Sequence, residues 1–292
     1  MKVHPRCRAC LLEQSARTFD VLHIDGKIRL SNLKAIEKFI GERFTEDRIT
    51  AELGTEVHRE VKKITNNDPF KEEKERSNRA ALKLVDYARQ LIENADDSLC
   101  QSFKIAIAGN LIDFGTYYFD VDLKEKELKA ALLDEFAIDE FDEIKRHIKG
   151  AKKILYLCDN AGEIVFDRLC IEEIQKLGPT VTAVVKSGAI VNDATMEDAR
   201  IAHLPEICSV IESGTDSVGV ILKESSDEFI KELKSTDLII AKGQGHFETM
   251  EDMELPIAFL LKAKCQTVAE ALGVKPKSSV VTLSQFCSAQ TL

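Results

Sequence analysis

The sequence predicts an α/β protein, with a mostly parallel β-sheet flanked by helices and a helical N-terminal domain ahead of it; the two parts are expected at 1–102 and 103–292. Three observations carry that expectation. The first hundred residues hold helix-period apolar patterns and few strand-like runs. From residue 103 onward, short apolar and β-branched runs alternate with helical stretches. The stretches between those runs are long enough to be crossover helices, which neighbouring parallel strands require.

In the N-terminal part, "SNLKAIEKFIGERF" opens on a capping Ser or Asn and repeats apolar residues three and four apart, as does "SNRAALKLVDYARQLIENA". Between them, "TNNDPFKEEKERSN" gives a turn at Asp68-Pro69 and then a charge run, which reads as a solvated helix face. The strand candidates are "FKIAIAGNLIDFG", "KKILYLCDN", "TVTAVVKSG", "ICSVIESG", "DLIIAKGQG", "LPIAFLLKA" and "SSVVTLS". "EIVFDRLCIEEIQKLG" and "SSDEFIKELKST" are the crossover helices that would cover the sheet.

Composition removes several function classes. A chain of 292 residues with 44% hydrophobic content can bury a large core, and its net charge of -10 argues against broad binding to nucleic acid or anionic membrane. No run of 18 apolar residues and no signal-like N-terminus occurs, so no membrane association and a cytoplasmic location are expected. Eight cysteines are too dilute for a disulfide scaffold, six of them (Cys100, Cys158, Cys170, Cys208, Cys265 and Cys287) lack regular spacing, and most read as reduced core residues. Cys7 and Cys10 make half a zinc site, and on helical spacing they read as a packed thiol pair.

In an open parallel sheet, ligands bind outside the carboxyl ends of the strands, so the residues after each strand are the informative ones. "LYLC" runs into Asp159-Asn160-Ala161-Gly162-Glu163, "AVVKSGAIV" into Asn192-Asp193, and "SVIESG" into Thr215-Asp216. Each acid alone would be a helix cap. Together in one crevice they would repel one another unless a cation lay among them, and the oxygen donors of Asp159, Asn160 and Asp193 suit Mg2+ or Mn2+, with Co2+ or Ni2+ admitted by affinity order. "LIIA" leads to Lys242, the positive group that an anionic substrate needs in an acidic chain, and to a Gly243–Gly245 turn whose amides suit a phosphate. Asn110 and Asp113 in "AGNLIDFG" are placed as pocket walls.

These motifs, with "CRACLL", "DPFKEEKERSNRAAL", "CDNAGEIVFD", "VNDAT", "SGTDS" and "KGQGHFET", resemble the signatures of the DUF89 family of metal-dependent damage-control phosphatases across nearly the whole chain. The resemblance implies a Rossmann-like α/β domain and divalent-metal-dependent hydrolysis of phosphomonoesters of small metabolites. Its metal positions fall on Asp159, Asn160 and Asp193, and its phosphate-contacting lysine falls on Lys242. A water oriented by Asp216 or Glu163 is the preferred nucleophile; direct attack by Asp159 is the alternative. Two other readings stay open: S-adenosylmethionine-dependent methyl transfer, which predicts a glycine-rich loop after the first strand of the α/β domain, and non-catalytic metal or metabolite binding. His246 is placed near the substrate, and Arg76, Asn78 and Arg79 are placed where they could select the leaving group.

Overall fold

Helix signals dominate the first part of the chain, and the computed structural model, which describes residues 1–65, 68–109 and 121–286, bears them out. Helix α1 (Pro5–Val21) starts on His4, whose ring accepts the Arg6 N–H, with Pro5 at the first helical position. Helix α2 (Gly26–Arg43) is capped by Asp25 and is followed by α3 (Thr50–Thr65). These three bury Leu11, Phe19, Ile36, Ile40, Leu53 and Val57 against one another. Cys7 is buried at the first turn of α1 and Cys10 is exposed, so the two thiols do not share one packed environment.

The helix expected over "SNRAALKLVDYARQLIENA" is two helices, α4 (Lys71–Leu82) and α5 (Val85–Glu93), separated by a turn at Lys83 and Leu84. Helix α6 (Ser98–Ala108) follows, then α7 (Val121–Ala131). Residues 103–108, read from sequence as the first strand of the α/β part, are therefore helical. The Asp97 carboxylate accepts the Cys100 N–H and starts the helix, and Phe103, Ile105, Ala106, Ile107 and Ala108 are all buried. A six-residue run that is apolar but for Lys104 is too short to show a period, which is why helix and strand looked alike here. The sheet begins only at β1 (Phe136–Asp139). Asn110 and Asp113 lie outside the described residues.

After β1 come α8 (Phe141–Gly150), β2 (Lys153–Leu157), α9 (Glu163–Gln175), β3 (Thr180–Val185), α10 (Met196–Ile201) and β4 (Ser209–Glu212). Then follow α11 (Asp227–Ser235), β5 (Leu238–Lys242), α12 (Gln244–Met250), β6 (Ile257–Lys262), α13 (Gln266–Leu272) and β7 (Ser279–Leu283). The strands form one seven-stranded sheet of order β1-β7-β6-β5-β2-β3-β4, parallel throughout except where β6 meets β7. Six of the seven expected strand runs contain one of these strands.

Alternation along β2 sends Ile154 and Tyr156 into the core shared with α6, α8 and α9, while Leu155 and Leu157 face the core shared with α11, α12 and α13. Both faces are covered, as a parallel sheet requires. The chain moves outward from β2 to β3 and β4, then returns through α11 to place β5 on the other side of β2. This reversal opens a crevice outside the carboxyl ends of β2 and β5, where a doubly wound sheet binds its ligand. Among the described residues no helix is long and apolar enough to cross a membrane.

Candidate active site

The turn after β2 and the loop after β3 are joined by two backbone hydrogen bonds. Ala161 N–H donates to Asn192 O at 2.9 Å, and Ala194 N–H donates to Asp159 O at 2.8 Å, pairing Asn160 with Asp193 in a short antiparallel bridge. Gly162, at φ 81°, makes the sharp entry into α9, a conformation that a side chain would resist. Those contacts bring Asp159, Asn160, Glu163 and Asp193 to one place. The Asn160 amide nitrogen donates to Asp159 Oδ2 at 2.8 Å and to Glu163 Oε1 at 2.7 Å. On the β5 side, Gly243 has φ 80°, and a Cβ built there would lie 2.1 Å from Asp159 Oδ2. The glycine is required because the Asp159 carboxylate occupies the space of its missing side chain.

Burial shapes the electrostatics of these acids. Burial, then the charge of Asp159, pushes Glu163 up to about 8. Burial pushes Asp193 up to about 7 and raises Asp159 as well. Glu163 Oε2 is buried with no hydrogen-bond partner among the described residues. Burial is the main cause of the raised proton affinity at all three carboxyls, with lysines opposing it, and their oxygens are of the kind that suits a hard divalent ion. Among the described residues no three His, Cys, Asp or Glu side chains stand ready around a single point. The candidate donors are the Asp159 and Asp193 carboxylates and the Asn160 amide oxygen; the Asn160 nitrogen is occupied as a donor to Asp159 and Glu163.

Three lysines ring this acidic floor. Lys186, at the end of β3, is 3% exposed; its ammonium donates to Gly219 O at 2.6 Å and lies 3.8 Å from Asp193 Oδ2. Lys242, 1% exposed, donates to Ala106 O at 2.8 Å and to Asp167 Oδ1 at 2.9 Å, and lies 3.8 Å from Glu163 Oε2. Burial works against its charge, but Asp167 and Glu163 outweigh that and raise its pKa. Expected from sequence to face the phosphate, Lys242 is held by the Ala106 carbonyl and the buried Asp167 carboxylate, with Glu163 alongside. Lys264, just beyond β6, is the exposed member. Its N–H is bonded to Gln244 Oε1 at 3.2 Å, and its charge favours ionised Asp159 more than either buried lysine does.

Asp216 is not turned to this floor. Its carboxylate accepts from Arg59 at 2.6 Å and from Lys62 at 3.2 Å, both on α3. Despite partial burial, those two cations hold its pKa below the usual carboxylate value, which makes it a poor proton acceptor for water. His246 bonds through Nδ1 to Lys242 O at 2.7 Å, and burial pushes it down to about 3, so it is a neutral structural group. Gly245 packs its α-carbon towards Val218. Asn78, placed from sequence at the leaving group, is fully buried between Gly162 and Asp198. Lys186 and Lys264 were missed, although each follows a strand and the strand-end rule would have found both.

An acid- and lysine-lined crevice at the switch point of a doubly wound sheet defines a ligand-binding α/β protein. The damage-control phosphatase ARMT1-like domain matches residues 3–280, and the chain belongs to that family, DUF89. An uncharacterised protein of Methanocaldococcus jannaschii is 42% identical over 96% of this chain and 95% of its own length. A damage-control phosphatase of Pyrococcus horikoshii is 38% identical over 97% of this chain and 98% of its own, and one of Archaeoglobus fulgidus 36% over 94% and 96%. The crystal structure of a DUF89 family protein from Pyrococcus horikoshii superposes with a TM-score of 0.91 at 36% identity, covering 97% of this chain and 99% of that one.

Proposed function

We propose that the chain is a divalent-metal-dependent phosphatase for small phosphorylated metabolites, sugar phosphates among them, with the cation held by Asp159, Asn160 and Asp193. The observation that carries the proposal is the pairing of the β2 and β3 loops through Asn160 and Asp193, which collects buried acids whose raised proton affinities a cation would reverse. Mg2+, Mn2+, Co2+ and Ni2+ all suit oxygen donors of this kind. A bound divalent ion supplies charge neutralisation and Lewis-acid polarisation of the phosphoryl group.

The protein's own groups do the rest. Lys264 and the first-turn amides of α12, which begins beside Asp159, take the remaining phosphoryl oxygens. Glu163, which follows the β2 turn and has Oε2 buried without a hydrogen-bond partner among the described residues, orients the attacking water and accepts its proton. Asp159 is held as a ligand by Asn160 and by its close packing on Gly243, so water rather than Asp159 is the nucleophile. Lys186 and Lys242 limit the repulsion among the acids before substrate arrives. Hydrolysis of a phosphomonoester needs accurate placement and charge stabilisation more than a strong base, which this arrangement favours. A cavity of about 300 Å³ beside the loop that carries Asp193 is lined by Lys71, Lys74, Ser187, Thr195 and Asp198, a polar surface that suits a hydroxylated leaving group.

The methyl-transfer reading gains nothing from this arrangement, since β1 passes through Glu140 directly into α8 with no glycine-rich loop. The test is phosphate release from a panel of phosphomonoesters in chelator and in each of the four metals. Metal-dependent release that vanishes in Asp193→Ala, with the fold retained, is expected; release unaffected by chelator or by that substitution would reject the ligand assignment.

A further inference from the structure

Outside the acidic floor, one buried side chain touches both loops that build it. Asn78 of α4 is 0% exposed. Its Oδ1 accepts the Gly162 N–H at 2.7 Å, and its Nδ2 donates to Asp198 Oδ1 at 2.7 Å. Gly162 immediately precedes Glu163 and opens α9 without a side-chain cap of its own. Asp198 in turn accepts from Thr195 N–H at 2.8 Å and Thr195 Oγ1 at 2.7 Å, fixing the turn two residues beyond Asp193. Lys74, one helical turn before Asn78, stands 3.7 Å from the other Asp198 oxygen.

The contacts close a ring. On one side, the Ala161–Asn192 and Ala194–Asp159 hydrogen bonds join the two loops directly; on the other, Gly162, Asn78, Asp198 and Thr195 join them through α4. The chemistry at the centre of that second arm is specific. One partner is an N–H that needs an acceptor, and the other is a carboxylate that needs a donor. A carboxamide offers both from one planar group, whereas Asp offers a donor only when protonated and an aliphatic side chain offers neither. Leaving either buried partner unsatisfied would shift one loop against the other.

We propose that Asn78 is a positioning residue for the cation site: it clamps the β2 and β3 loops at the spacing that Asp159, Asn160 and Asp193 need to share one ion. The inference rests on the metal-dependent reading above and adds to it that the N-terminal helices are part of the site. The charge run read from sequence as a solvated face thus carries Asn78 and Lys74 into the interior, and movement of α4 would change metal affinity.

The test uses the full chain and Mn2+ alone as probe, by calorimetry, with Arg89→Ala as the control. That control breaks the Arg89–Glu172 ion pair between α5 and α9 at 2.7 Å without touching either loop. Asn78→Ala is expected to weaken Mn2+ binding about tenfold or more, in the range found for residues that support metal ligands, while Arg89→Ala leaves it unchanged. Amide exchange in metal-free protein is expected to quicken over 159–163 and 193–198 in Asn78→Ala and to stay at the wild-type rate there in Arg89→Ala. Asn78→Asp is expected to approach wild-type affinity, measured at the same pH, as pH falls and its acid form regains a donor. Wild-type Mn2+ affinity in folded Asn78→Ala, or equal weakening in Arg89→Ala, would overturn the clamp alone. A wild-type chain that binds no divalent ion would overturn the metal reading instead, and the exchange pattern would still decide whether Asn78 joins the loops.

Discussion

At Gly243 the requirement for glycine is spatial, because the Asp159 carboxylate lies where a Cβ would be. Gly243→Ala is expected to displace Asp159 and lower kcat/KM roughly a hundredfold, the usual cost of a misplacement near 1 Å, and steady-state kinetics at saturating metal would measure it. His58 carries a second residue-scale prediction. It is buried between α1 and α3, bonded to Gln14 at 3.1 Å, and burial pushes it down to about 4. An unfolded histidine takes up its proton at higher pH, so stability falls as pH drops from about 6.5 to 4 and levels off below, by roughly 3 kcal/mol in all. Denaturant titrations of His58→Gln should show a shallower loss across that window; a slope equal to wild type would contradict the assignment.

At the scale of elements, the junction between α3 and the loop after β4 is a network in which Arg59 meets Asp216 at 2.6 Å and Glu224 at 2.7 Å, and Thr55 accepts the Val218 N–H at 3.0 Å. Arg59→Ala leaves two half-buried carboxylates without their shared partner. It is expected to cost about 1–3 kcal/mol of stability, read as a lower urea midpoint, with metal binding unchanged. That junction also shows where sequence reading stopped. Asp216 follows a strand just as Asp159 does, so the strand-end rule gave both the same standing; only the packing of α3 across the sheet edge separates them. That Asp159, Asn160, Glu163 and Asp193 come together was legible because the first three lie in the turn after β2 and Asp193 lies in the loop after the neighbouring β3. Helix α6 was not, because five of its last six residues are apolar and buried and alternate no more like a helix than a strand, and α4 was not, because one Asn inside a charge run gives no sign that it is buried.

For the whole molecule, the reversal of strand order makes a crevice, and the proposed cation site gathers its acids there with buried lysines alongside them. Such a protein should be stabilised by the ion it binds. Mn2+ at about a hundred times its Kd should add roughly 2.7 kcal/mol to wild-type stability and almost nothing to Asp193→Ala, as thermal or urea unfolding would show. Binding should also tighten as pH rises from about 6 to 8, because Asp193 and Glu163, raised by burial to about 7 and about 8, must release their protons to solvent when the cation binds. The most direct measurement is anomalous diffraction from crystals soaked in Mn2+. The account predicts one strong peak within coordination distance of Asp159, Asn160 and Asp193; a fully soaked crystal with no peak there, or with the ion bound elsewhere, would contradict it.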